Sequence, residues 1–172
     1  VPTVAEFFNF KMGEKLRAEH GPAELIMARN VLAHVPDLVD FVKGVRHWLS
    51  DVGIFHVEVP YLKPMVDHLE FDTIYHEHLS YFSVTALDRL FKEAGLVLWD
   101  VEEIPLHGGS LIARGKRSGP AKQSVAQYLA MEKAEGYTAA KKLHAFADGT
   151  RNLQKVLPAF LSDLKKKGSL AA

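Results

Sequence analysis

Tyr75-His76-Glu77-His78 sets four side chains able to move protons or bind ions in one unbroken run, in a chain with nine histidines. A neutral imidazole beside a carboxylate is an oriented proton acceptor that titrates near working pH. In an extended segment His76 and His78 would share one side, and Tyr75 and Glu77 the other. In a loop all four could converge. Two further runs carry comparable chemistry. Asn30-Val31-Leu32-Ala33-His34-Val35-Pro36-Asp37 follows an apolar stretch over residues 23–28 that reads as a strand. Ligands of open α/β sheets bind outside the carboxyl ends of strands, which puts Asn30 and His34 where a ligand would sit. The same two residues could instead hold a turn and cap backbone groups. In His107-Gly108-Gly109-Ser110 two glycines permit positive φ and close approach of the backbone to a ligand, or simply a tight turn. Glu58 ends a strand before Pro60 and Tyr61, either facing the same crevice or acting as a satisfied acceptor.

The histidines also allow a metal reading. His76, His78 and Glu77, joined by His34 or His107, would offer nitrogen and oxygen ligands to an ion, as in a metal-dependent hydrolase or isomerase. The spacing lacks the two histidines four apart, with Glu beside the first, that helical zinc proteases use. No metal ligand set is therefore assigned. Neither a Gly-x-Ser-x-Gly elbow nor a phosphate-binding Gly-x-x-x-x-Gly-Lys loop occurs.

The elements that must position these residues alternate. Residues 1–5 read as a short strand. Asn9 caps a helix ending before Gly21, and residues 23–28 read as a buried strand. In residues 37–49 Leu38, Phe41, Val42, Val45, Trp48 and Leu49 fall on one helical stripe. Asp51-Val52-Gly53 reads as a turn and residues 54–59 as the next strand. Ser83 caps a helix whose stripe is Val84, Leu87, Leu90, Phe91 and Ala94, with Gly95 past its end. Residues 96–101 and 110–114 read as two closely joined strands. The pattern predicts an α/β sheet, with about three parallel strands and then an antiparallel pair at the edge. Ser118-Gly119-Pro120 reads as a linker. Beyond it come helices broken near Gly136 and Gly149 and kinked at Pro158, with Leu153, Val156, Leu157, Phe160, Leu161 and Leu164 as a packing face.

Composition narrows the function. The 172 residues suit about one ordinary domain. Twenty-one basic residues balance 21 acidic ones, which argues against a nucleic-acid partner. Lys165-Lys166-Lys167 reads as a helix end rather than a binding patch. With no cysteine, the chain holds no disulfide, zinc finger or thiol nucleophile, in keeping with a cytoplasmic setting. No apolar run reaches the roughly 18 residues of a membrane span. Val1 in place of Met, and the ending Gly168-Ser169-Leu170-Ala171-Ala172, read as an excerpt of a longer protein.

The three runs, in this order, resemble the S-adenosylmethionine-dependent C-methyltransferases that act on nucleotide-linked deoxysugars. The long middle match is Phe71-Asp72-Thr73-Ile74-Tyr75-His76-Glu77-His78-Leu79-Ser80-Tyr81-Phe82-Ser83, flanked by the runs at residues 30–37 and 107–111. At Ile112 the chain departs from the family, which usually has Arg there. The resemblance implies a partial class I methyltransferase (Rossmann-like) sheet over residues 1–117. Residues 118–172 would be a helical connection toward a C-terminal Rossmann-like domain. Zinc would belong only to a separate cysteine-rich N-terminal domain. The glycine-rich loop and ribose-binding carboxylate that hold most of the cofactor would lie outside this chain, leaving it inactive alone.

The same resemblance implies the chemistry. A proton beside a sugar keto group is removed, and the enolate attacks the methyl group of S-adenosylmethionine. His78 is then the base, Glu77 orients it or shares the proton, and Tyr75 and His34 meet the keto oxygen or ring substituents. Phe7, Ala28 and Asn30 would touch the cofactor, and His76, Tyr81, His107 and Ser110 the nucleotide-sugar substrate. A non-catalytic binding fragment of the same family is the other reading.

Overall fold

The computed structural model describes residues 3–168. Three side-chain caps start the helices that build the core. Asn9 accepts from Met12 N at 2.9 Å to start α1 (Phe10–His20). Asp37 accepts from Asp40 N at 2.9 Å to start α2 (Leu38–Trp48). Ser83 accepts from Ala86 N at 3.1 Å to start α4 (Val84–Glu93). Each satisfies a backbone donor that a helix start leaves free.

The strands are β1 (Ala23–Arg29), β2 (Leu49–Pro60), β3 (Val97–Ile104) and β4 (Ser110–Lys116). They form one sheet in the order β1-β2-β4-β3. β1 and β2 run parallel, whereas β4 runs antiparallel to both of its neighbours. Two neighbouring strands are thus parallel rather than three. The antiparallel β4 lies inside the sheet, and β3 takes the edge. Phe41, Val42 and Val45 of α2 and Leu87 and Phe91 of α4 bury themselves with Phe55, Val57, Leu111 and Ala113 of the sheet. Such side chains contribute about 1.5–3 kcal/mol each when fully buried.

Several local expectations fail. Residues 3–5 form no strand, and Val1 and Pro2 lie outside the described residues. Asp51-Val52-Gly53 is not a turn, because β2 runs straight through it. Gly53 is needed there for closeness, since a Cβ would stand 2.7 Å from the Ala23 carbonyl oxygen of β1. β1 is not buried: Leu25 is 57% and Met27 56% exposed. As the end strand it has a neighbour on one side only. Finally, Gly149 does not break the tail.

That tail consists of α5 (Gln123–Ala134) and α6 (Ala140–Lys166), which part at Gly136 but not at Gly149 or Pro158. α5 packs on β3 and α4. Its Glu132 is fully buried and accepts from Tyr61 Oη at 3.0 Å, Val84 N at 2.6 Å, Thr85 N at 2.8 Å and Thr85 Oγ1 at 2.6 Å. One carboxylate therefore ties the tail to the end of β2 and the start of α4. The expected packing face of α6 stands in solvent: Leu153, Val156, Leu157, Phe160 and Leu161 are exposed.

Candidate active site

Three connections meet above the carboxyl ends of β1 and β2. Asn30 adopts the left-handed conformation (φ 53°) and its N–H donates to the Glu58 carbonyl at 3.0 Å, so β1 ends in a sharp turn. A 3-10 turn over Leu32–His34 follows. A short helix α3 (Leu62–Asp67) and a second 3-10 turn over Phe71–Thr73 lead to the His/Glu run. The two loops are zipped together. Leu79 N donates to the Ala33 carbonyl at 2.8 Å, and His34 Nδ1 lies 2.8 Å from the Glu77 carbonyl.

The run from Tyr75 to His78 is neither a strand nor a point of full convergence. His78 N donates to the Tyr75 carbonyl at 3.1 Å, closing a turn. A turn brings residues three apart together and sends the middle pair outward. Tyr75 and His78 accordingly stack, with ring centroids 4.4 Å apart. His34 joins them at 5.1 Å from His78. The His76 and Glu77 side chains point out at 88% and 62% exposure, 3.9 Å from each other. The expectation that the Glu77 carboxylate shares this cleft is corrected by that geometry. Its backbone carbonyl, not its carboxylate, serves the site.

The cleft holds about 430 Å³ and is lined by Asn30, His34, Tyr75, His78 and His107, with Pro60, Asp72 and Thr73. Tyr81 sits behind it and donates to the Thr73 carbonyl at 3.3 Å. Ser110 is fully buried and donates to the Leu106 carbonyl at 3.0 Å, holding the turn that carries His107 rather than facing the cleft. Sequence reasoning missed Asp72 and Thr73 as cleft residues. They lie inside the long matching run, but without a backbone path nothing distinguished them from spacer.

Hydrogen bonds select the tautomer of each ring in its neutral form. A carbonyl oxygen only accepts, so His34 Nδ1–H donates to Glu77 O and His78 Nδ1–H donates to Thr73 O at 3.0 Å. In each neutral ring the proton-free atom is then Nε2. Tyr75 Oη, 3.2 Å from His78 Nε2, is the donor of that pair. The cleft thus presents two imidazole acceptors and one phenol.

A second cavity of about 660 Å³ adjoins it, lined by Phe7, Phe8, Val31, Val35 and Phe41, and by His34, which lines both. Phe7 is 96% exposed at its mouth, whereas Ala28 is buried within β1 and borders a smaller apolar hollow. Among the described residues no three His, Asp or Glu side chains group to hold a metal ion, which removes support from the hydrolase reading.

The cleft lies at the carboxyl ends of the two parallel strands of a mixed α/β sheet. The chain belongs to the methyltransferase family: a methyltransferase domain model matches residues 4–101, and a C-methyltransferase C-terminal domain model matches residues 105–172. It is 37% identical over 150 residues to C-methyltransferase NovU of Streptomyces niveus, covering 86% of this chain and 36% of that protein. The chain thus spans about a third of that relative's length. The likeness to CalO1, a methyltransferase in calicheamicin biosynthesis solved in its SAH-bound form, has a TM-score of 0.48 at 18% identity, over 56% of this chain and 31% of that one. A methyltransferase solved with the Haloferax volcanii Trm112 activator gives 0.48 at 14% identity, over 57% and 55%. The cofactor that membership implies is S-adenosylmethionine. Phe7 and Val31 line the larger cavity, whereas Asn30 lines the neighbouring cleft.

Proposed function

We propose that this chain carries the proton-abstracting and substrate-facing groups of an S-adenosylmethionine-dependent C-methyltransferase that acts on a nucleotide-linked keto-deoxysugar. Methylation at carbon rests on the similarity to C-methyltransferase NovU, and the substrate class on the resemblance of the three runs. The observation that carries the chemistry is the His78 ring, whose Nδ1–H is committed to Thr73 O, leaving Nε2 proton-free beside the Tyr75 hydroxyl in the cleft.

A C–H beside a keto group is acidic enough for an imidazole to remove when donors meet the oxygen that gains charge. His78 Nε2 takes that proton. Tyr75 Oη, already beside Nε2, turns its proton to the keto oxygen as the enolate forms. His34 Nε2 is an acceptor while the ring is neutral, so it suits a sugar hydroxyl and becomes a donor only when protonated. His107 borders the same cleft from the opposite turn. Glu77 acts through its carbonyl on His34, and its carboxylate, with His76, is free to meet an extended substrate outside the cleft. The bound cofactor supplies an electrophilic methyl group. Phe7 and Val31 would hold it, with apolar Phe8 and Phe41 keeping water from that side, and Asn30 would meet it from the neighbouring cleft.

Within this reading residues 1–117 are the later part of the methyltransferase domain. Residues 118–172 connect to a further domain, and the setting is cytoplasmic. No helix among the described residues is long and apolar enough to cross a membrane. The complete enzyme, given S-adenosylmethionine and a nucleotide-linked keto-deoxysugar, should yield a methyl group bound to carbon in the product NMR spectrum. A methyl on oxygen, or none, would reject the reading.

A further inference from the structure

We infer that Gly149 of α6 is a positioning residue for the catalytic loop, acting through Leu69; the inference rests on the reading of His78 as the base.

Among the described residues three non-glycine residues have positive φ: Asn30, His107 and Leu69. The first two line the cleft. Leu69, at φ 56°, opens the loop that leads into it. A left-handed conformation crowds Cβ against the backbone, and a branched apolar side chain has no local hydrogen bond to offset that. Such a conformation persists only where the surroundings over-determine it. Part of those surroundings is α6, which the end of the half-buried Leu69 side chain meets at Gly149. A Cβ added at Gly149 would stand 2.8 Å from Leu69 Cδ2 and 3.1 Å from Cδ1. Glycine in the middle of a 27-residue helix weakens it, yet α6 runs through unbroken. The missing side chain leaves a notch, and the end of Leu69 occupies it.

The path onward is short and made of hydrogen bonds. Glu70 N donates to the Met65 carbonyl at 2.9 Å, anchoring the loop on α3. Thr73 Oγ1 donates to the Glu70 carbonyl at 2.8 Å and Ile74 N to the Phe71 carbonyl at 3.0 Å, so residues 70–74 form one stiff turn. The Thr73 carbonyl that leaves this turn holds His78 Nδ1. Unseating Leu69 therefore moves the acceptor that selects the His78 tautomer. Phe146, one helical turn before Gly149, packs beside Met65 and Val66 and fixes the height at which α6 crosses the loop. The contact joins the segments matched by the two family models, and it gives the tail a part in chemistry performed elsewhere.

Gly149→Ala fills the notch while favouring the helix. In the full chain, with histidine-ring nitrogens read by NMR above their titration, wild-type His78 should show the Nδ1–H pattern. Gly149→Ala should move it toward the Nε2–H pattern that free imidazole prefers, with the melting temperature held. Adding Leu69→Gly should bring it most of the way back, because glycine takes this φ without a wedge. Leu69→Ala, which leaves α6 untouched, should resemble Gly149→Ala and serves should the latter not fold. An unchanged His78 pattern in folded Gly149→Ala, or no return in the double variant, overturns the inference. If the pattern responds as expected while methyl transfer by the complete enzyme is unaffected, the wedge stands and the base assignment falls.

Discussion

His78 Nδ1 lies 3.0 Å from the carbonyl oxygen of Thr73, and this contact decides which nitrogen of the neutral ring is the acceptor. Nε2 is left proton-free, 3.2 Å from the Tyr75 hydroxyl. On the proposed reading, base and donor would thereby be paired by a turn of the chain before any substrate arrives, reducing the reorganisation that reaction requires.

Tyr75→Phe removes the donor and keeps the ring that stacks on His78 at 4.4 Å. The expected result is a fall in kcat of roughly 10²–10³, the usual cost of losing one oxyanion donor. Steady-state kinetics of the complete enzyme check this. KM should change little, because the phenol acts on charge that develops during reaction.

Glu132→Ala should destabilise the fold without touching the cleft. It strands the donors of Tyr61, Val84 and Thr85 in a buried place. Leaving a buried donor unpaired costs about 1–3 kcal/mol, so a total of about 3 kcal/mol or more is expected. Urea unfolding measures it. Glu132→Gln keeps the shape and should lose less.

The sequence showed its caps and stripes clearly, because those signals are local. Asn9, Asp37 and Ser83 announce their helices by residue type, and Phe41, Val42 and Val45 by period. Residues 23–28 and 54–59 are neighbouring parallel strands, as their alternation with helices implies. What was illegible depends on distant neighbours. Gly53 reads as a turn until Ala23 is known to pass beside it, and Gly149 as a breaker until Leu69 is seen in its notch. Leu25 and Met27 look like core because composition does not reveal that β1 has one neighbour. In the site, residue types pointed to a loop that lines a cleft. The turn geometry that pairs Tyr75 with His78 and ejects Glu77 required the backbone path. Glu132 carried no signal, since a Glu in a Lys- and Ala-rich helix reads as surface.

Asp67 gives the acid limb of stability a definite sign. Burial raises its carboxyl, but hydrogen bonds from Lys63, Tyr137 and Lys142 outweigh that and bring its pKa from 3.8 down to about 2. A depressed folded-state value contributes stability that is present above the unfolded pKa and lost as pH falls through the folded one. Wild-type stability should therefore drop between about pH 4 and pH 2. Asp67→Asn should lack that part of the drop and be less stable at pH 5. Urea midpoints at pH 5, 4, 3 and 2 decide it: a difference between the two proteins that stays constant over this range would contradict the assignment.

The role of His78 is tested most directly by exchange of the substrate's carbon-bound α-proton with deuterated water, followed by NMR in the complete enzyme. Asn in place of His78 keeps part of the shape and some hydrogen bonding but cannot accept the proton at neutral pH. His78→Asn is expected to lose both α-proton exchange and methyl transfer, while Glu77→Gln retains exchange because its carboxylate lies outside the cleft. Wild-type exchange in His78→Asn, with methyl transfer lost, would contradict the assignment of the base and leave His78 as a group that positions the substrate.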